Sequence, residues 1–96
     1  MPRKRCCGVV VEEPCCTSFI AEGMHNSLKI VLGVEELEAI RLKDLLEYDQ
    51  STCADEMELS RPTFQRVLHS ARAKVAVALV EGRTIIIQGG HYMVKN

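Results

Sequence analysis

The sequence predicts a mainly α fold: a three-helix, helix-turn-helix bundle with a long last helix and short flanking β-strands near both termini. Three observations predict it. Between Asp49 and Leu68 apolar residues fall at helical spacing on either side of a short break, and from Val34 to Tyr48 another run keeps a helical period. Near each end of the chain a β-branched run is bounded by Gly or Pro. Ninety-six residues give room for one domain, and a chain this short buries a modest share of its surface, which favours oligomerisation.

The stretch DQSTCADEMELSRPTFQRVL carries the helix-turn-helix. Cys53 and Met57 sit four apart on its first helix, Leu59 follows the turn, and Phe64 and Val67 face inward from the second. Ala54 falls where the helices cross, where a larger side chain would push them apart. Ser60 can accept from a free N–H at the start of the second helix, and Pro62, in its first turn, has no N–H to leave unpaired. The residues left to project outward are Arg61, Thr63, Gln65, Arg66 and His69, side chains able to reach base edges or phosphates. The turn itself holds Glu58 where such motifs favour glycine, and positive φ at a non-glycine residue costs on the order of 1 kcal/mol.

The chain opens on MPRKR, where Arg3, Lys4 and Arg5 form a basic arm that is either a solvated terminus or a phosphate and minor-groove contact. Cys6 to Val11 reads as a short strand ending before Glu12-Glu13-Pro14, and residues 15–29 read as loop, broken by Gly23, Asn26 and Ser27. VEELEAIRLKDLLEY is a strong helix with Gly33 as its cap and an inward stripe of Leu37, Ile40, Arg41 and Leu45. Its Glu35, Glu36 and Glu38 are expected in an exposed first turn, where they complement the helix dipole and lack the nucleophile or buried base that catalysis would need. This helix should pack across the back of the pair as the third member. Phe64, Val67, Leu68, Ala71, Val75 and Leu79 continue one amphipathic period to Gly82, a left-handed cap. Thr84 to Gln88 then reads as a strand stopped by Gly89-Gly90 and expected to pair with Gly8–Val11, within the chain or between chains. His91 and Tyr92 follow in a tail without a readable role. The single domain thus divides into arm, strand and loop (1–33), helical core (34–82), and strand and tail (83–96).

A net charge of −1 hides a strong asymmetry. Residues 12–58 hold twelve acids and three bases, whereas residues 60–83 hold Arg61, Arg66, Arg72, Lys74 and Arg83 against Glu81 alone. Positive charge is therefore concentrated on the proposed recognition helix and the arm, where phosphate contacts would be needed; the plainer reading is of ordinary solvated faces. Two Phe, two Tyr and no Trp argue against stacking of single-stranded bases. The longest apolar runs are far too short for a signal peptide or membrane span, so the expected compartment is the cytoplasm, with no membrane partner. Five cysteines, an odd number, are then expected as free thiols.

Cys6-Cys7 and Cys15-Cys16 offer four thiolates, the number a zinc or iron–sulfur site takes, with His25 as a further ligand. Adjacent cysteines on a strand point to opposite faces, whereas structural zinc sites put residues between paired ligands. The favoured reading is no metal and no cofactor, with these cysteines as small apolar residues and Cys53 as part of the helical core.

With these elements placed, the chain resembles a small uncharacterised prokaryotic family of predicted DNA-binding proteins whose helix-turn-helix is similar to region four of sigma-70-type factors. The resemblance runs over nearly the whole chain, through the MPR start, Pro14 with Phe19 and Gly23, VEELEAIRLKDL, SRPTFQRVLHSARAKVAVALVEG and the closing IIIQGG. It implies a DNA-binding regulator of transcription; Glu58 and the paired cysteines depart from the pattern.

The leading expectation is a sequence-specific binder of double-stranded DNA, not an enzyme, acting as a homodimer on a two-fold site. Gln65 and Arg66 would read bases, Arg61 and Thr63 would hold phosphate or the first base, and His69, Arg72 and Lys74 would anchor to the backbone. Two alternatives stand beside it. One is a protein-interaction module whose acidic first half contacts RNA polymerase or another part of the transcription machinery. The other is a metal or redox sensor built on Cys6, Cys7, Cys15 and Cys16 and coupled to DNA binding.

Overall fold

A computed structural model describes residues 8–11, 13–15, 17–24, 28–89 and 93–94. The elements are β1 (Val9–Val10), β2 (Ser18–Phe19), β3 (Lys29–Leu32), α1 (Val34–Ile40) running straight into a π-helical turn (Arg41–Leu45), α2 (Gln50–Met57), α3 (Arg61–Glu81), β4 (Thr84–Ile87) and β5 (Met93–Val94). Three α-helices and a small three-stranded sheet make a mainly helical architecture with strands at its flanks.

The strands pair differently from the expectation. β4 lies in the middle of the three-stranded sheet, antiparallel to β2 and parallel to β3, with Phe19 opposite Ile85 and Leu32 opposite Ile87. The β1 segment does not reach β4; it pairs in parallel with β5, Val9 opposite Met93. The stretch 15–29 is also not all loop, since it contains β2 and the start of β3. Parallel neighbours need a long crossover, and here the crossover from β3 to β4 is the entire helical region. The sheet therefore clamps the two ends of the bundle together.

Two apolar clusters fill the interior. Ala39, Leu42, Cys53, Ala54, Met57, Phe64 and Leu68 form the first, with Leu59 and Val67 packed against it, so the five side chains expected between α2 and α3 do share a core. Ala54, 1% exposed, is small enough for the helices to meet over it. Val10, Leu32, Val34, Ala71 and Ile87 form the second, between α3 and the sheet. Ile40 touches both. Burial of Phe64 alone is worth roughly 1.5–3 kcal/mol.

The helix ends follow local chemistry. Asp49 caps α2 by accepting from the Thr52 N–H at 2.8 Å, and Ser60 caps α3 by accepting from the Thr63 N–H at 3.2 Å. Gly82 ends α3 in the left-handed region at φ 69°. Glu58 does adopt positive φ, 57°, as the cap that closes α2. Gly8 sits at φ 137°, where an L side chain is strained, and a Cβ there would also press on Met57 Cε at 2.9 Å.

Two expected stripes are corrected. On α1 and the turn after it, Val34, Glu38, Ala39 and Leu42 are buried, whereas Leu45 is 71% exposed. The π turn explains this: the Leu46 N–H reaches back five residues to the Arg41 carbonyl at 2.9 Å, and the extra residue swings Leu45 off the inward face. The regular helix ends there, short of Tyr48, and Glu47 breaks it at φ 60°. On α3 Ala78 is buried and Leu79 is 77% exposed, because the inward line from Phe64 through Leu68 and Ala71 drifts to residue 78 at 3.6 residues per turn.

Glu36 and Glu38 are likewise buried, not exposed. Glu36 accepts the Gly33 N–H at 2.8 Å, the Ser70 hydroxyl, and the Lys74 ammonium at 2.9 Å. Glu38 takes Arg41 through two bonds of 2.8 and 2.9 Å and accepts the Val11 N–H at 3.1 Å. A buried carboxylate is tolerable when its oxygens are bonded in this way, and both residues tie α1 to a neighbour.

Candidate nucleic-acid interface

From Arg61 to Val80, α3 carries no acidic residue. Its first three turns are held by the caps and by the apolar seam with α2, so the outward side chains spring from a rigid frame. Arg61, Pro62, Gln65, Arg66 and His69 are all exposed, and the last four line one shallow, open depression.

Within this face the polar groups are ordered by each other. The Ser60 hydroxyl donates to Thr63 Oγ1 at 2.9 Å, and Arg66 Nη2 donates to the same oxygen at 3.2 Å. Thr63 thus holds the Arg66 guanidinium from below, with four of its five N–H groups available for other acceptors in that pairing. Gln65 donates through Nε2 to Gln50 Oε1, which links α3 to the first residue of α2. Gln50 was not among the residues singled out in the sequence. The signal lay in its position, since a polar residue directly after the Asp49 cap faces the helix that crosses above it.

Two expected anchors are engaged within the chain. Arg72 is paired with Asp44 of the π turn through Nε at 3.2 Å and through Nη2. That hydrogen bond, more than the neighbouring charge, holds the Asp44 carboxyl below its ordinary range. Lys74, partly exposed, bonds Glu36 of α1, so its ammonium neutralises a buried carboxylate. Burial alone would raise the Glu36 carboxyl, but bonds from Ser70, Lys74 and Gly33 outweigh it and hold the group below its ordinary value. The structure therefore brings together Arg61, Thr63, Gln65, Arg66 and His69, leaves Arg72 beside them in an exposed ion pair, and engages the half-exposed Lys74 with the buried Glu36.

Arg3, Lys4, Arg5, Cys6, Cys7, Cys16 and His25 lie outside the described residues, as do His91 and Tyr92. Cys15 is exposed and Cys53 buried. Burial pushes the Cys53 thiol up, away from thiolate reactivity, which agrees with its expected place in the core. Among the described residues no three His, Cys, Asp or Glu side chains gather as a metal site would need. No described helix is long and apolar enough to cross a membrane.

Comparison with known sequences places this arrangement in a family. The model described as "Protein of unknown function DUF134" matches residues 1–95. The chain belongs to this family. A UPF0251 protein of Thermoanaerobacter sp. (strain X514) is 52% identical over 96 residues, 98% of this chain and 85% of its own length. Another, from Thermoanaerobacter pseudethanolicus (strain ATCC 33223 / 39E), is 51% identical, with 98% and 81% covered. A longer UPF0251 protein of Clostridium botulinum (strain Hall / ATCC 3502 / NCTC 13319 / Type A) is 60% identical over 67 residues, 70% of this chain and 43% of its own. No solved structure matches the chain.

Proposed function

We propose that the protein is a cytoplasmic, sequence-specific binder of double-stranded DNA that regulates transcription as a homodimer, with α2 and α3 as a helix-turn-helix and α3 as its recognition helix. One observation carries the reading: the outward face of the first three turns of α3 presents Arg61, Gln65, Arg66 and His69 with no acid among them, in a chain whose net charge is negative. Arginine pairs in bidentate fashion with guanine and glutamine with adenine in the major groove, and a helix fits that groove. In this reading Gln65 and Arg66 meet base edges, while Arg61, Thr63 and His69 serve the first base or the phosphates. Arg72 joins them on exchanging Asp44 for a phosphate, and the sequence-based role for Lys74 as a backbone anchor gives way to the support of α1.

The test is anisotropy titration of labelled duplexes, drawn from a selected random pool, at two salt concentrations. Affinity should fall steeply with salt, with a slope near −0.9 per phosphate contact. Arg66→Ala should cost about 1–3 kcal/mol of binding and relax preference at one position. An unchanged affinity and salt slope for Arg66→Ala would refute the assignment.

A second reading is supported by a different region. The π turn and the residues after it expose Leu45, Leu46 and Tyr48 beside Asp44, Glu47 and Asp49, an apolar and acidic surface suited to a protein partner such as RNA polymerase. Salt-insensitive or absent duplex binding, together with loss of polymerase pull-down in Leu45→Glu, would favour it.

A further inference from the structure

Of the two side chains assigned to base edges, Gln65 is held from a different helix. Its Nε2 donates to Oε1 of Gln50, the first residue of α2 and fifteen positions earlier in the chain. The backbone under Gln50 is set by the end of that helix. Asp49 accepts the Thr52 N–H through its side chain at 2.8 Å and the Cys53 N–H through its carbonyl at 2.9 Å. Gln50 is half-buried, whereas Gln65 is exposed in the depression that it shares with Pro62, Arg66 and His69.

We infer that Gln50 is a positioning residue that makes Gln65 a reader of adenine and turns it against guanine. The inference rests on the DNA-binding reading and deepens it. A primary amide has one acceptor oxygen and two N–H donors, and a free one can rotate to offer either. With one N–H committed to Gln50, Gln65 has Oε1 and the other N–H left for a ligand. In the major groove adenine shows an acceptor, N7, beside a donor, the N6 amino group, and that remaining pair matches both. Guanine shows two acceptors, N7 and O6. A free amide can swing its oxygen away and meet either with an N–H; an amide tied to Gln50 brings Oε1 against O6, acceptor against acceptor. The tie also removes in advance the side-chain freedom that an unheld glutamine would lose on binding. The device requires an acceptor at position 50, which is what Gln50 Oε1 supplies.

The test uses anisotropy titration of the full 96-residue chain with the tightest duplex from a random pool and with its single-pair variants. Gln65→Ala identifies the pair that Gln65 reads, as the one whose preference relaxes. There the unsubstituted chain should favour A·T over G·C by about 5- to 150-fold, the discrimination of a good bidentate contact. Gln50→Ala should reduce that preference by about 2- to 12-fold, the contribution of one hydrogen bond, with the thermal midpoint and the preferences at other positions unchanged. Gln50→Glu, whose carboxylate still accepts from Gln65 Nε2, should keep the A·T preference at lower overall affinity, because it adds a negative charge near the phosphates. In a Gln65→Ala background, Gln50→Ala should change nothing further. The inference is overturned by an unchanged A·T preference in Gln50→Ala, by an equal loss on every duplex with a lower thermal midpoint, by a preference for G·C at the Gln65 position, or by a Gln65→Ala chain that relaxes no position. All four outcomes leave duplex binding itself intact. Absence of salt-dependent duplex binding by the unsubstituted chain removes the DNA-binding reading, and this inference with it.

Discussion

The two halves of α3 belong to one uninterrupted helix, yet they face different surroundings. The first half, from its Ser60 cap to Ala71, sinks Phe64 and Leu68 between α1 and α2 and turns polar side chains outward. In the second half Ala78 is the buried contact, the ends of the sheet lie alongside, and Leu79 and Val80 are left in the open. Apolar residues occur at helical spacing in both, so periodicity alone does not separate them. What separates them is the neighbour: a helix crossing over Ala54 covers the first half, whereas past Lys74 and its α1 partner Glu36 the last turns are flanked, among the described residues, by short strands and the segment after β2. An apolar residue is therefore a core residue only where a partner element arrives to cover it.

Substitutions can break this contrast. Phe64→Ala should destabilise the fold by about 3–5 kcal/mol, read by urea denaturation, because it empties a fully enclosed site. Leu79→Ala, measured at dilutions where the chain is monomeric, should fall within about 0.5 kcal/mol of the parent, as exposed positions do. Equal losses at the two positions would abolish the distinction.

The cations along α3 provide a finer version of the same contrast. Lys74→Ala removes the charged partner of a buried carboxylate and should cost about 1–3 kcal/mol, whereas Arg72→Ala, in an exposed pair, should cost less than about 1 kcal/mol. The two should also differ with pH. Since the Glu36 carboxyl is held below its ordinary value in the folded chain, its contribution is present above the unfolded value and is lost as pH falls through the folded one. Lys74→Ala should flatten that acid limb of the stability curve; an unchanged limb would show that Ser70 and Gly33 suffice. A gain in place of a loss is expected at the turn, where Glu58→Gly relieves a positive φ and should raise stability by about 0.5–1 kcal/mol in thermal denaturation.

What could be read in the sequence was what local chemistry determines. Ser60, Pro62 and Gly82 mark the ends of α3 without reference to anything distant, and the spacing of Cys53, Met57, Phe64 and Val67 announces their shared core. The strand pairing was not legible, because strands of two to four residues carry little pattern and β2, β3 and β4 are joined across the whole helical region. Buried Glu36 was missed for the same reason: Ser70 and Lys74, its partners, stand 34 and 38 residues away. At the candidate interface the outward residues of α3 were legible from the helix period, but the Lys74–Glu36 pair and the Gln50–Gln65 bond depend on how helices cross.

Ile40, the residue common to both apolar clusters, has a bearing on how the molecule comes apart. It occupies the final position of α1, just before the π turn, and α3 runs beneath both clusters as a shared spine. Neither cluster can then open without stripping contacts from the other, so the bundle and the sheet should melt as one cooperative unit, with the slowest amide exchange along the middle of α3. Disturbance of the cluster between α2 and α3 is therefore felt at the sheet through the same side chain, which joins the surface that would read a ligand to the strands on the other side of the bundle.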